Sequence, residues 1–140
     1  IEGLNMLSNM RLCSNVLSQH VVQTSLGGYQ SVDELLLPGG RIYEQRNFIY
    51  KAINEIPGLS ATKPKAGLYI FPKIDREMYQ VDDDEQFVLD FLKQEKILLV
   101  HGRGFNWKDP DHFRIVYLPR VDELAQIQEK MTRFLRQYRR

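Results

Sequence analysis

Residues Ile97 to Arg120 read ILLVHGRGFNWKDPDHFRIVYLPR. Ile97, Leu98, Leu99 and Val100 make a short continuous apolar run, the pattern of a strand covered on both faces. Lys108, Asp109, Pro110 and Asp111 supply turn chemistry. His112 to Leu118 alternates as a second strand, which Pro119 ends because it offers no ladder donor. Arg114 sits in the middle of that strand. Alternation groups it with Val116 and Leu118 on one face and sets Phe113, Ile115 and Tyr117 on the other. A guanidinium flanked by such residues is costly unless an anion meets it. The strand holds no acidic residue, so the anion is either a distant carboxylate or a ligand. On spacing alone three roles stay open: a structural ion pair, an edge-strand arginine facing water, and a clamp for carboxylate or phosphate. The last suits a planar fork that is always charged.

Upstream, Lys63-Pro64-Lys65-Ala66-Gly67 is a bend, and Leu68 to Phe71 has the aromatic and β-branched character of a strand. Gly67 suits a bulge or a close backbone approach. Leu59 to Thr62 is a short extended piece. The acidic run Asp82-Asp83-Asp84 lacks the alternate ligand spacing, central glycine and closing glutamate of a calcium loop. It is expected to be a solvated N-cap for a helix carrying Phe87, Val88, Phe91 and Leu92 and ending near Glu95-Lys96. Arg41 to Ile56 is a long helix with Ile42, Ile49, Ile53 and Ile56 on one face, flanked by Tyr43 and Tyr50; Pro57-Gly58 stops it. Ser31 to Gly40 is a connector. Two helices precede it: Ile1–Met10, with Ile1, Leu4 and Leu7 along one side, and a second opening at Val16 or Ser18, with Val22 and Leu26 on one stripe, closed by Gly27-Gly28. Arg11 to Asn15 is a break. At the far end, Val121 to Tyr138 carries the stripe Leu124, Ile127, Met131, Phe134, Leu135 and Tyr138. Arg133, Arg136, Arg139 and Arg140 gather at its end, where cations are ordinary at a helix C-terminus.

Composition excludes several classes. At 140 residues the chain is of single-domain size. A net charge of +1 exerts no general pull toward nucleic acid or anionic membrane. Cys13 is the single cysteine, which excludes an internal disulfide framework and suits a reducing cytoplasm. No apolar run approaches the ~20 residues a membrane span needs, and the N-terminus lacks the basic-then-apolar pattern of a signal peptide. The chain begins at Ile1, so its start was removed or lies upstream. His20, His101 and His112 are too scattered for a recognisable metal site. No phosphate-loop or dinucleotide-loop motif occurs. His101-Gly102-Arg103-Gly104-Phe105 is a glycine loop able to bring backbone donors to an anion.

GRGF, a spacer, then FRIVYLP followed by a helix resembles the C-terminal end of the class I/II, fold type I pyridoxal-phosphate-dependent aminotransferases. The longer text, KPKAGLYIFPKI through DFLKQEKILLV to RIVYLPRVDE, is similar to the bacterial glutamate–pyruvate (alanine-synthesising) branch, and the likeness runs along the whole chain. It implies an α/β (α+β) small C-terminal domain over residues 31–140, preceded by a helical segment, residues 1–30, from the large cofactor-binding domain near the dimer interface. It implies that Arg114 grips the substrate α-carboxylate and that Phe105 walls the substrate pocket. Arg103 departs from the small residue more often found in that loop, and its role stays open.

The resemblance also implies pyridoxal 5'-phosphate in the full-length protein, a homodimer, and transfer of an amino group between glutamate or alanine and pyruvate or 2-oxoglutarate. Such an enzyme needs a lysine that forms a Schiff base and shuttles the proton. In the family it sits in a serine-x-x-lysine stretch followed by phosphate-holding glycine and arginine. Ser60-Ala61-Thr62-Lys63 has the letters, but Pro64 follows at once with no helix or phosphate loop behind, and a motif counts only in its context. Lys63 is therefore read as a decoy. The chain is expected to be a C-terminal fragment that supplies the clamp, binds no cofactor by itself and lacks catalytic residues. The alternative is a stand-alone, non-enzymatic α+β ligand-binding or interaction domain.

Overall fold

The computed structural model describes residues 1–11 and 14–139. Leu12 and Cys13 in the expected break, and Arg140 in the terminal basic cluster, lie outside the described residues. The chain divides into two compact units, Ile1–Glu34 and Leu35–Arg140.

The first unit holds helices α1 (Glu2–Met10) and α2 (Val16–Gly27). Asn15 opens α2 by accepting a hydrogen bond from the backbone N–H of Ser18 at 3.2 Å, an ordinary side-chain cap. Neither helix buries a residue. A further helical turn, α3 (Asp33–Leu36), forms in the stretch expected to be plain connector.

The second unit runs α4 (Arg41–Glu55), β1 (Leu59–Ser60), β2 (Tyr69–Ile70), β3 (Lys73–Ile74), α5 (Asp84–Glu95), β4 (Val100–His101), β5 (Phe113–Val116) and α6 (Val121–Leu135), with a closing 3-10 turn at Arg136–Tyr138. β1 pairs antiparallel with β3, and β2, β5 and β4 form a second antiparallel sheet in that order. Helices and short antiparallel strands around one core make this an α+β unit. The inward residues of α4, Ile42, Ile49, Ile53 and the following Ile56, are buried together with Phe113, Ile115 and Tyr117 of the β5 strand line and Leu124, Met131 and Phe134 of α6. Aromatic rings lock the centre. Phe87 lies 5.7 Å from Phe113 and 5.4 Å from Phe134, and Phe91 lies 5.0 Å from Phe134, centroid to centroid, within the range of favourable edge and tilted contacts.

Several expectations change in detail. The run Ile97–Val100 is not a strand covered on both faces: only Val100 and His101 pair, at the sheet edge, and Leu98 is 75% exposed. The reason is the turn before it, where Lys96 caps α5 in the left-handed region with φ 59°, so that Leu99 is buried while Ile97 only packs partly against the core. β5 is shorter than His112–Leu118, though its alternation holds, with Phe113, Ile115 and Tyr117 inward. Gly67 serves neither bulge nor close approach. Its φ of +75° is what favours glycine, since a Cβ there would meet nothing nearer than Tyr69 at 3.8 Å. Asp83 is the cap of the acidic run, accepting from the N–H groups of Glu85 at 3.0 Å and Gln86 at 3.2 Å, but Asp84 beside it is fully buried rather than solvated. Arg133 is not simply a cation on a helix end: it forms a two-pronged pair with Glu95, Nε–Oε1 3.1 Å and a terminal nitrogen to Oε2 2.5 Å, tying α6 to α5.

Candidate functional site

β5 is the central strand of its sheet, and its two faces have different fates. One face enters the core. The other carries Arg114, half-buried, with Val116 and Leu118 more exposed beyond it. Arg114 stands opposite Val100 of β4, and Val116 opposite Tyr69 of β2. A diagonal neighbour across an antiparallel pair is within reach of a long side chain. The guanidinium carbon of Arg114 accordingly sits 4.4 Å from the Tyr69 ring centroid. It also sits 4.4 Å from the Phe105 ring centroid. Both distances are those of cation–π contacts, so the planar group is held between two aromatic walls. The walls are themselves open to solvent, Tyr69 at 47% and Phe105 at 45%.

Among the described residues no carboxylate lies within ion-pair distance of Arg114, and its Nε is buried with no hydrogen-bond partner. An unpaired buried donor of a charged group is expensive. This removes the structural ion pair within the described chain and leaves a cation aligned by its neighbours with donors to spare. The nearby acids are committed elsewhere. Asp111, buried, accepts from Trp107 Nε1 at 2.9 Å, lies 2.6 Å from His112 Nδ1 and 3.7 Å from the Lys73 ammonium. Burial acts to raise its carboxyl, and the bonds from His112 and Trp107, with the nearby charges of His112 and Lys73, together hold it below the ordinary range. Asp84 accepts from the Arg103 backbone N–H at 2.8 Å and from Arg103 Nε. Its burial also acts upward, and the Arg103 bonds together with the charges of Arg103 and His101 hold it below the ordinary range.

Behind Phe105 an aromatic group supports the wall. Phe71 meets Phe105 edge-on at 6.2 Å and Trp107 at 5.7 Å, and stacks on His112 at 4.9 Å. The loop itself is a 3-10 turn, Gly102–Phe105. A Cβ on Gly102 would come within 2.7 Å of the His112 carbonyl oxygen, so glycine is required by close backbone approach. Of the expected site residues, Arg114 and Phe105 are thus brought together. Tyr69 was missed: it belongs to a strand whose register against β5 cannot be read from the sequence.

Lys63 is exposed on an irregular segment, with its ammonium 5.8 Å from the Tyr50 ring centroid and no helix following it. Among the described residues no group of three or more His, Cys, Asp or Glu could hold a metal ion.

No protein-family model matches the chain. It is 58% identical over 139 residues to the glutamate-pyruvate aminotransferase of Haemophilus influenzae, covering 99% of this chain and 34% of that protein. Among solved structures it superposes on an aminotransferase from Escherichia coli with a TM-score of 0.83 at 57% identity, covering 99% of this chain and 34% of the other. It superposes on the alanine aminotransferase from Pyrococcus furiosus with a TM-score of 0.73 at 38% identity, covering 97% and 34%. These matches are those of a small α+β unit that corresponds to the C-terminal domain of aminotransferase structures. Over nearly its whole length the chain matches a C-terminal part of the aminotransferase fold, and it spans about a third of the length of the curated relatives it matches.

Proposed function

We propose that the protein containing this chain is a pyridoxal-phosphate-dependent aminotransferase that exchanges an amino group between glutamate or alanine and pyruvate or 2-oxoglutarate. In this reading the chain contributes the grip on the substrate α-carboxylate. Arg114 is the clamp, and Phe105, with Tyr69 opposite, walls it. The observation that carries the reading is the Arg114 guanidinium aligned between two rings with no carboxylate of the described chain to neutralise it. A carboxylate offers two oxygens to such a fork. The α-carboxylate is common to the amino acid and the 2-oxo acid, so one clamp serves both directions of the exchange. Ring carbon beside the guanidinium lowers the local dielectric and strengthens the contact.

The cofactor would be held by parts of the protein outside this chain, so the chain alone binds none and transfers no amino group. We assign residues 1–30 to the large, cofactor-binding domain near a homodimer interface and residues 31–140 to the small domain, in a protein of the cytoplasm. No described helix is long and apolar enough to cross a membrane.

The test is made in the full-length protein. Truncating one partner of a desolvated charge pair costs ~2–5 kcal/mol, on the order of thirty- to several-thousand-fold in kcat/KM. Arg114→Ala is expected to lose that much for both substrates. Arg114→Lys keeps the charge without the fork and falls between. Cofactor occupancy stays at the wild-type level in both. Loss of the cofactor in Arg114→Ala, or kcat/KM within about twofold of wild type for both substrates, contradicts the assignment.

A further inference from the structure

We infer that Asp84 is a positioning residue for the Arg114 site, holding the Gly102–Phe105 turn so that Phe105 lies over the guanidinium. This rests on the reading of Arg114 as the clamp.

Asp84 is not needed to cap its helix. It is the first residue of α5, yet the cap of that helix is Asp83, whose Oδ1 already takes the N–H groups of Glu85 and Gln86. The Asp84 side chain is only 1% exposed, and a buried carboxylate is tolerated where charge-assisted donors meet it. Both its oxygens go to one residue of the turn. Oδ2 accepts from the Arg103 backbone N–H at 2.8 Å, and Oδ1 from Arg103 Nε. The same arginine reaches Asp83 Oδ1 at 2.5 Å with a terminal nitrogen. Arg103 is thereby consumed as a latch and is not available to substrate.

The turn has few other anchors. Gly102 donates to the His112 carbonyl at 2.8 Å, fixing the entry. Past Arg103 the backbone bonds are internal to the loop: Asn106 N–H to Arg103 oxygen at 3.0 Å and Trp107 N–H to Gly102 oxygen at 3.3 Å; beyond Phe105 the Trp107 indole N–H donates out to Asp111 at 2.9 Å. Between that entry and Phe105, among the described residues, the hydrogen bonds out of the loop are those to Asp84 and Asp83. Release them and the segment carrying Phe105 is left with its edge contact to Phe71 and the Trp107 anchor beyond it, so the wall shifts over the Arg114 clamp. Misplacing a positioning group by about an ångström costs on the order of a hundredfold in a reaction; a wall that shifts but still covers the site costs less.

The experiment uses the full-length protein loaded with cofactor. Asp84→Ala is expected to raise KM for the amino acid and the 2-oxo acid alike by about tenfold, with kcat changed less than about threefold. Asp84→Asn, which keeps an acceptor for the backbone N–H, restores part of the loss. Arg103→Ala, which keeps the backbone bond, shows a smaller rise, and the double variant is no worse than Asp84→Ala alone because the two act as one unit. Melting temperature is recorded alongside. A lowered Tm with both KM values unchanged makes Asp84 a purely structural residue and overturns the inference. Should Asp84→Ala fail to fold, Asp84→Asn and Arg103→Ala decide by the same KM criterion. If Arg114→Ala itself leaves turnover intact, the clamp reading is what fails; if Arg114→Ala destroys turnover while the Asp84 variants keep wild-type KM, the latch alone fails.

Discussion

The helices of Ile1–Glu34 and those of Leu35–Arg140 carry apolar residues of the same kinds and meet opposite fates. In α1, Leu4 and Leu7 are 70% and 64% exposed; in α4, Ile49 and Ile53 are 0% and 1% exposed. An apolar stripe at helical spacing says that a face wants covering and does not say by what. α4 finds its cover within the chain, in α6 and β1. α1 and α2 bury none of their residues, and in a family whose members are about three times as long their cover belongs, in the proposed assignment, to the large domain or a second subunit.

The largest effect that would break this comparison is in packing. Phe87 touches Phe113, Phe134 and Tyr138, and Phe87→Ala is expected to destabilise the chain by ~3–5 kcal/mol. Leu4→Ala or Leu7→Ala is expected to stay within ~0.5 kcal/mol. Denaturant melts of the three variants measure both. Amide exchange should be slow through α4, α5 and α6 and fast through α1 and α2. A loss from Leu7→Ala comparable to that from Phe87→Ala, or a protected α1 in a monomer, would place a hidden partner for the first unit.

A smaller effect sharpens the account of the second unit. Asp111 lies below its ordinary carboxyl value of 3.8: burial acts to raise it, and the His112 and Trp107 bonds with the charges of His112 and Lys73 together outweigh that. The unfolded chain therefore binds this proton more readily than the folded one, so the stability the group contributes is full above the ordinary value and is lost as pH falls through the lower folded value. Wild-type stability should decline below about pH 4, and the decline should be shallower in Asp111→Asn. Identical acid limbs in the two would mean that the Trp107–Asp111–His112 group adds nothing to folding and that the wall behind Phe105 is held by packing alone.

Much of this was legible before any coordinates. The periodicity of Ile42–Ile49–Ile53–Ile56, of Phe87–Phe91 and of Leu124–Met131–Phe134 marks three core helices because a helix repeats its face locally. The two-residue alternation of Phe113, Ile115 and Tyr117 against Arg114, Val116 and Leu118 separates the buried face from the site face by the same local logic. What was not legible depends on pairing across distance. Tyr69 meets Arg114 only through the β2–β5 register, Asp84 meets Arg103 only through the fold of α5 onto the turn, and Glu95 meets Arg133 only where two helices cross. Register is set by the assembled sheet rather than by either strand. The overlong strand at Ile97–Val100 has a related cause. An apolar run shows that its residues prefer burial, and nothing in it reveals that a left-handed turn at Lys96 will leave Leu98 in solvent.

The central claim is that Arg114 recognises a carboxylate, and the most direct measurement pairs a change in the enzyme with the matching change in the substrate. In the full-length protein, kcat/KM is determined for alanine and for alaninamide, which lacks the carboxylate charge, in wild type and in Arg114→Ala. Wild type should favour alanine by on the order of thirty- to several-thousand-fold. In Arg114→Ala the two substrates should come within about threefold of each other, because the group that told them apart is gone. A preference for alanine that survives Arg114→Ala at its wild-type size would mean that another residue holds the carboxylate and that the Arg114 assignment is wrong.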